Sequence, residues 1–134
     1  MKNNELIEKF TGLLSDIEDA EAISVTDFTE ERKPNMIIVS IDSIKQCHPP
    51  VPDYEYQISI TVDSFIADDP NGSKFNAIIE EVQNKMNLYI FKGQPLSSLF
   101  GEIPVVGLLE DGASYSITNE SNRCEMKYLV YISF

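Results

Sequence analysis

Cys47 and His48 are the first residues to weigh, because a thiol beside an imidazole is the minimum for cysteine nucleophilic catalysis. They are neighbours in the extended, proline-bounded run CHPPVP, where successive side chains point to opposite sides. That spacing sends the thiol and the ring apart. His48 is the sole histidine and no GxSxG turn occurs, so no second nucleophile–base pair is available. Cys47 and Cys124 lie 77 positions apart with no CxxC, which gives zinc no ligand spacing.

Carboxylates are abundant. Asp53, followed much later by Glu125 and Lys127, spells the loose elements of a metal-dependent nuclease, in which two acids hold the ion and a lysine assists the water. Glu125 and Lys127 share one face of a strand, but the long gap to Asp53 leaves the solvated face of an amphipathic strand as the simpler account. The run Asp68-Asp69-Pro70-Asn71-Gly72 lacks the alternating oxygens and the distal glutamate of a calcium loop, so it reads as a turn. Six singly scattered glycines build no phosphate cradle. No catalytic residue, metal or cofactor is expected, and the chain is not read as an enzyme.

Charge excludes a further class. Ten Lys and Arg against 22 Asp and Glu give a net charge of −12, which opposes a broad basic grip on nucleic acid or an anionic membrane. A chain that is 43% hydrophobic is too core-rich for an acidic disordered tail. No apolar run approaches the roughly 20 residues a spanning helix needs. Two cysteines without a framework, and a start reading MKNNELIEKF, lead to the expectation of a cytoplasmic protein with reduced thiols.

The elements that must position these residues follow from periodicity. Leu6, Phe10, Leu13, Leu14 and Ile17 recur at helical spacing, predicting an amphipathic helix that frays by Ala20 among acids unfavourable at a helix C-terminus. An extended piece over Ile23–Phe28 and an acidic turn at Glu30 and Glu31 lead to a strand over 36–44. The prolines of 47–52 predict a stiff connection outside any central strand. Tyr54, Tyr56, Ile58, Ile60 and Val62 alternate with polar residues, as a strand with one buried face requires. Phe75, Ile78, Ile79, Val82 and Met86 form the stripe of a second helix, with Ser73 as its expected cap. An irregular loop over 92–104, a short strand over 105–109 and a polar, turn-like stretch over 111–122, with a small strand around Tyr115 and Ile117 as its alternative, precede a last strand. There Cys124, Met126, Tyr128, Val130 and Ile132 alternate with polar neighbours. Adjacent strands without strict βαβ alternation predict an α+β fold, residues 1–134 as a single domain. Its sheet is mostly antiparallel, of four to five strands, with two helices packed on one face.

Apolar residues outside this pattern call for another account. Leu129 and Tyr131 fall on the polar side of the last strand, and Leu96, Leu99 and Phe100 lie in the irregular loop. Satellite core is one reading; a protein interface is the other, and these five residues are its candidates.

The segments LIEKFTGLL, YEYQISITVDSFIADDPNGSKFNAIIEEVQNKM and RCEMKYLVYISF together resemble the tail terminator, or tail completion, proteins and related minor tail and neck proteins of long-tailed bacteriophages and prophages. The resemblance lies in element order and length. It implies a structural protein that assembles in the host cytoplasm and ends in the virion tail. Its implied partners are itself, as a homo-oligomeric ring (commonly a hexamer), the tail tube and the head-completion proteins. DNA would pass through the lumen unread. An acidic lining would let phosphates slide, with the loop acids Asp68, Asp69, Glu110, Asp111 and Glu120 as lumen candidates. The alternative is a host-encoded protein-binding adaptor of the same fold class.

Overall fold

The computed structural model describes residues 3–18, 20–24 and 34–134. In chain order the elements are α1 (Asn3–Leu14), β1 (Glu21–Ser24), β2 (Asn35–His48), β3 (Val51–Phe65), α2 (Ser73–Ile90), α3 (Leu96–Phe100), β4 (Val105–Ile117) and β5 (Ser121–Ser133). The strands form one five-stranded sheet in the order β1-β2-β3-β5-β4. β1 runs parallel to β2, and every other neighbouring pair is antiparallel. This is the α+β fold that the alternation predicts. The expected strand beyond Ser24 and the Glu30–Glu31 turn lie outside the described residues.

The core forms where the period-two pattern of the central strands meets the stripes of the helices. Ile37 and Val39 of β2, Tyr56, Ile58, Ile60 and Val62 of β3, and Cys124 through Ile132 at alternate positions of β5 are buried on one sheet face. Phe10 and Leu14 of α1 and Ile78, Val82 and Met86 of α2 close over it. Each such side chain contributes roughly 1.5–3 kcal/mol by leaving water.

Four local expectations are corrected, each for a physical reason. α1 stops at Leu14, well before Ala20, with the Ser15 hydroxyl bonded to the Gly12 carbonyl at 2.8 Å. Asp16 thus falls just beyond the negative helix end, where an ion pair with Lys85 of α2 at 2.7 Å offsets it. The prolines of 47–52 are not a connector outside the sheet. Pro49 and Pro50 form the tip of the β2–β3 hairpin, beyond its last pair His48↔Val51, and Pro52 enters β3 at the register shift between Gln46 and His48, so the missing donors fall where the ladder ends or is already broken.

The N-cap of α2 is Gly72, not Ser73, and the capping carboxylate comes from Asp69. Gly72, with φ of 71°, folds the turn back so that the buried Asp69 carboxylate accepts from the amides of Lys74 (3.2 Å) and Phe75 (2.9 Å). Finally, 105–117 is one strand with register shifts between Val105 and Gly107 and between Glu110 and Ala113. Leu108 is its sole buried residue, so the alternation that would announce a strand is missing.

The loop over 92–104 also acquires structure. Pro95 starts the five-residue α3, Gly101 at φ 62° ends it, and Phe100 meets Phe10 edge-on at 5.5 Å between ring centroids. Phe100 is fully buried and Leu99 nearly so.

Replacing Ile60 with Ala should cost about 2–5 kcal/mol in urea unfolding, and Phe100 with Ala about 3–5 kcal/mol. A loss under about half a kcal/mol at Ile60 would contradict the register, since a one-residue slip exchanges the faces. Tyr128 is 1% exposed, and burial, reinforced by the charge of Glu110, pushes its phenol far above the ordinary value. A raised folded-state value gives stability that is complete below the unfolded value near 10 and declines above it. Stability should therefore fall as pH rises past about 10, and the fall should be shallower in Tyr128→Phe.

Candidate interaction surface

The face of the sheet opposite the helices carries the side chains that alternate with the core. On β3 these are Asp53, Glu55, Gln57, Ser59, Thr61 and Asp63; on β5 they are Arg123, Glu125, Lys127, Leu129, Tyr131 and Ser133. Met36, Ser59 and Asp63 are buried on this face, whereas toward β4 it opens to solvent.

Its polar half is tied together across strands. Arg123 reaches the Asp63 carboxylate at 2.8 Å. The Ser59 hydroxyl lies between two acids, in close hydrogen bond to Asp42 and 3.3 Å from Glu125, and Lys127 sits 3.5 Å from Glu125. The Gln57 amide donates to Asp111 at 3.3 Å, linking β3 to the bulge of β4 over the top of β5. Asp42 enters this set through a register shift between Ile41 and Ser43.

The other half is apolar. Leu129 stands opposite Leu109, and Tyr131 opposite Gly107. Tyr131 and Leu129 are half-buried and Leu109 is 51% exposed. Gly107 gives this ring room, since a Cβ there would lie 3.3 Å from Cδ2 of Tyr131 and the ring would have to shift by a few tenths of an ångström. Partial burial, together with a hydrogen bond to Glu55, raises the Tyr131 phenol. The ring thus lies against Gly107 of β4, and Glu55, opposite it on β3, bears on its hydroxyl.

The five interface candidates therefore separate. Leu99 and Phe100 are core, Leu96 packs half-buried against that core, and Leu129 and Tyr131 are on the open face. The satellite-core account suits the first three. Leu109 and Gly107 completed the patch unannounced, because the bulges of β4 break the period that would have assigned their face.

The five acids also separate. Asp68 is exposed at one end of the sheet, beside the β4–β5 turn that holds Glu120, where the Ile66 amide bonds the Glu120 carbonyl at 2.9 Å. Glu110 and Asp111 are exposed on β4; Glu110 pairs with the core residue Tyr128, and Asp111 turns to the open face. Asp69 does not project at all, since the start of α2 occupies its carboxylate.

The nuclease elements come apart. Asp53 pairs with Ser133, eight positions along β5 from Glu125, a separation of ~26 Å at the rise of a strand. Among the described residues, no three His, Cys, Asp or Glu side chains gather as a metal site. Cys47 and His48, expected to diverge, line a single shallow cleft of about 420 Å³ with Asp53, Tyr131 and Ser133. The register shift between Gln46 and His48 brings them to one side. There Asp53 lies between His48 (3.8 Å) and the Ser133 hydroxyl (2.5 Å), so the carboxylate, not the imidazole, occupies the middle position that a serine triad gives its base. Cys124 lies ~30 Å along the sheet from the level of Cys47, far beyond the roughly 7 Å limit for a disulfide.

The chain matches no protein-family model and no curated protein.

Gly107→Val should push the Tyr131 ring off β4 and cost about 1–3 kcal/mol in urea unfolding. Tyr131→Ala in the same chain should recover most of that loss. Additive losses in the double variant would show that the two residues do not share this contact.

Proposed function

We propose that this protein is a structural assembly subunit, of the tail terminator type found in long-tailed phages and prophages. In this reading it closes into a ring, hexameric by resemblance, on the end of a tail tube, stops the tube's growth and presents a docking surface for the head. It acts in the host cytoplasm during assembly and remains in the virion tail. The observation that carries the reading is the division of the sheet: one face is spent on the helices, and the other bears an apolar strip of Leu109, Leu129 and Tyr131 beside a charged ladder.

An apolar patch rimmed by polar residues is the makeup of a protein–protein contact. The net charge of −12 supports passive passage of DNA, because carboxylates at a lumen repel phosphates. Asp68 and Glu120, side by side at one end of the sheet, are the acids best placed to line it, with Glu110 and Asp111 on the flank. A host-encoded adaptor would use the same strip for a different protein, and tail assembly separates the two readings.

Leu109→Ser with Leu129→Ser should leave the protein folded, because neither residue belongs to the core, yet abolish its support of tail assembly in vitro. Unchanged assembly would overturn the reading. The unmodified protein should show negligible affinity for duplex DNA at low salt, where counterion release most rewards a basic site. Asp68→Lys with Glu120→Lys should introduce weak, salt-sensitive binding. Tight binding by the unmodified protein would contradict a passive lumen.

A further inference from the structure

β4 is an edge strand, and among the described residues nothing pairs with its outer side, where Leu109 through Ile117 are exposed throughout. The hydrogen-bond parity of this edge can be read from the β4–β5 turn. The Thr118 amide bonds the Ser121 carbonyl at 2.9 Å, so Thr118 and Ser121 form a pair that faces inward. In an antiparallel ladder inward and outward pairs alternate. Ile117, Tyr115 and Ala113 therefore direct their amides and carbonyls away from β5, toward whatever lies beside β4. Tyr115 and Ile117 add exposed apolar side chains at 63% and 78%.

A second edge complements the first. β1 pairs with Met36–Val39 alone in the 14-residue β2, and further along that strand Asp42, Ser43, Ile44 and Lys45 are exposed. β2 and β4 run in opposite directions, since three antiparallel steps separate them. Copies repeated side by side would thus meet β4 to β2 in the antiparallel sense. Ile44 pairs with Tyr56 and Tyr115 with Cys124, both core residues, so Ile44 and Tyr115 extend on the same, helix-covered face. Lys45 shares the open face with Asp111. The match is one of direction, face and charge. Pairing β4 with another β4 would instead set Glu110, Asp111 and Glu120 of one copy toward those of the other, in a chain already at −12.

We infer that β4 is a docking edge for the exposed stretch of β2 in a second copy of this chain, so that neighbouring subunits share one continuous antiparallel sheet. The contact is heterologous, and such contacts close into rings or run on as filaments. The inference rests on the ring reading above and names its joint.

The test uses the full chain and measures mass by sedimentation over a range of concentrations. Tyr115→Pro removes one outward amide without touching the β4–β5 ladder, while Tyr115→Thr keeps the amide and loses the ring. The expected result is at least tenfold weaker self-association in Tyr115→Pro than in Tyr115→Thr. Lys45→Glu should weaken association likewise, and Asp111→Lys in the same chain should restore it. Hydrogen exchange on the unmodified protein needs no variant to fold: the amides of Ala113, Tyr115 and Ile117 should be open in the monomer and protected in the assembly. Association with those amides still open would overturn this joint and leave the ring reading standing. A chain that stays monomeric to its solubility limit also overturns the joint, and the tail-assembly assay then decides the ring reading by itself. Protection on adding an unrelated extended peptide, with no self-association, would assign the edge to a different partner and overturn the inference.

Discussion

The unbroken pairing of β3 with β5 is the constraint on which the rest of the protein depends. From Asp53↔Ser133 to Phe65↔Ser121 the two strands run without a bulge, so a single register fixes the face of every side chain between them. One face receives Tyr56, Ile58, Ile60 and Val62 beside Val130, Tyr128, Met126 and Cys124, and only there do the helices find apolar surface. The outer strands tolerate irregularity because this pair does not. All the register shifts lie in the β2–β3 and β4–β5 ladders.

Those shifts are where the working surface is made. Asp42 is turned toward Ser59 by one, Cys47 and His48 are gathered into a cleft by another, and Asp111 reaches Gln57 from a third. A bulge re-aims a side chain by bending its own strand, while the unbulged central pair keeps its register. The result is a face whose frame is rigid and whose chemistry is set by a few displaced residues. Gly107 extends the same logic by subtraction, leaving out a Cβ that would crowd the Tyr131 ring.

How much of this could be read in the sequence depended on whether one side of an element was buried. Ile58, Ile60, Val130 and Ile132 are visible as core because polar partners alternate with them, and Phe10, Leu14, Ile78 and Val82 because their helices are amphipathic. Beyond Leu109, β4 was legible only as a small strand around Tyr115 and Ile117 inside a turn-like stretch, since a strand exposed on both sides has no reason to alternate. Leu99 and Phe100 looked like surplus because α3 is too short to show a period, and what assigns them to the core is the ring of Phe10 far away in the chain. The capping carboxylate of Asp69 was missed for a related reason: it stands before the turn it closes, and Gly72 supplies the fold that brings it back. Of the candidate surface, Leu129 and Tyr131 were legible as misfits in an alternating strand, and their partners Leu109 and Gly107 were not.

The central pair has a cost in time. β2 with β3, and β4 with β5, are neighbours in sequence joined by short turns, and local hairpins of this kind form in microseconds. β3 and β5 are joined by α2, α3 and β4, so their contacts span roughly half the chain and must await a much larger loop closure. During that interval each hairpin carries the inner edge that the other will occupy, and those edges bear the most apolar strands of the molecule. A newly made chain is thus most vulnerable to mispairing with another chain at its eventual centre, the part that the finished fold conceals best.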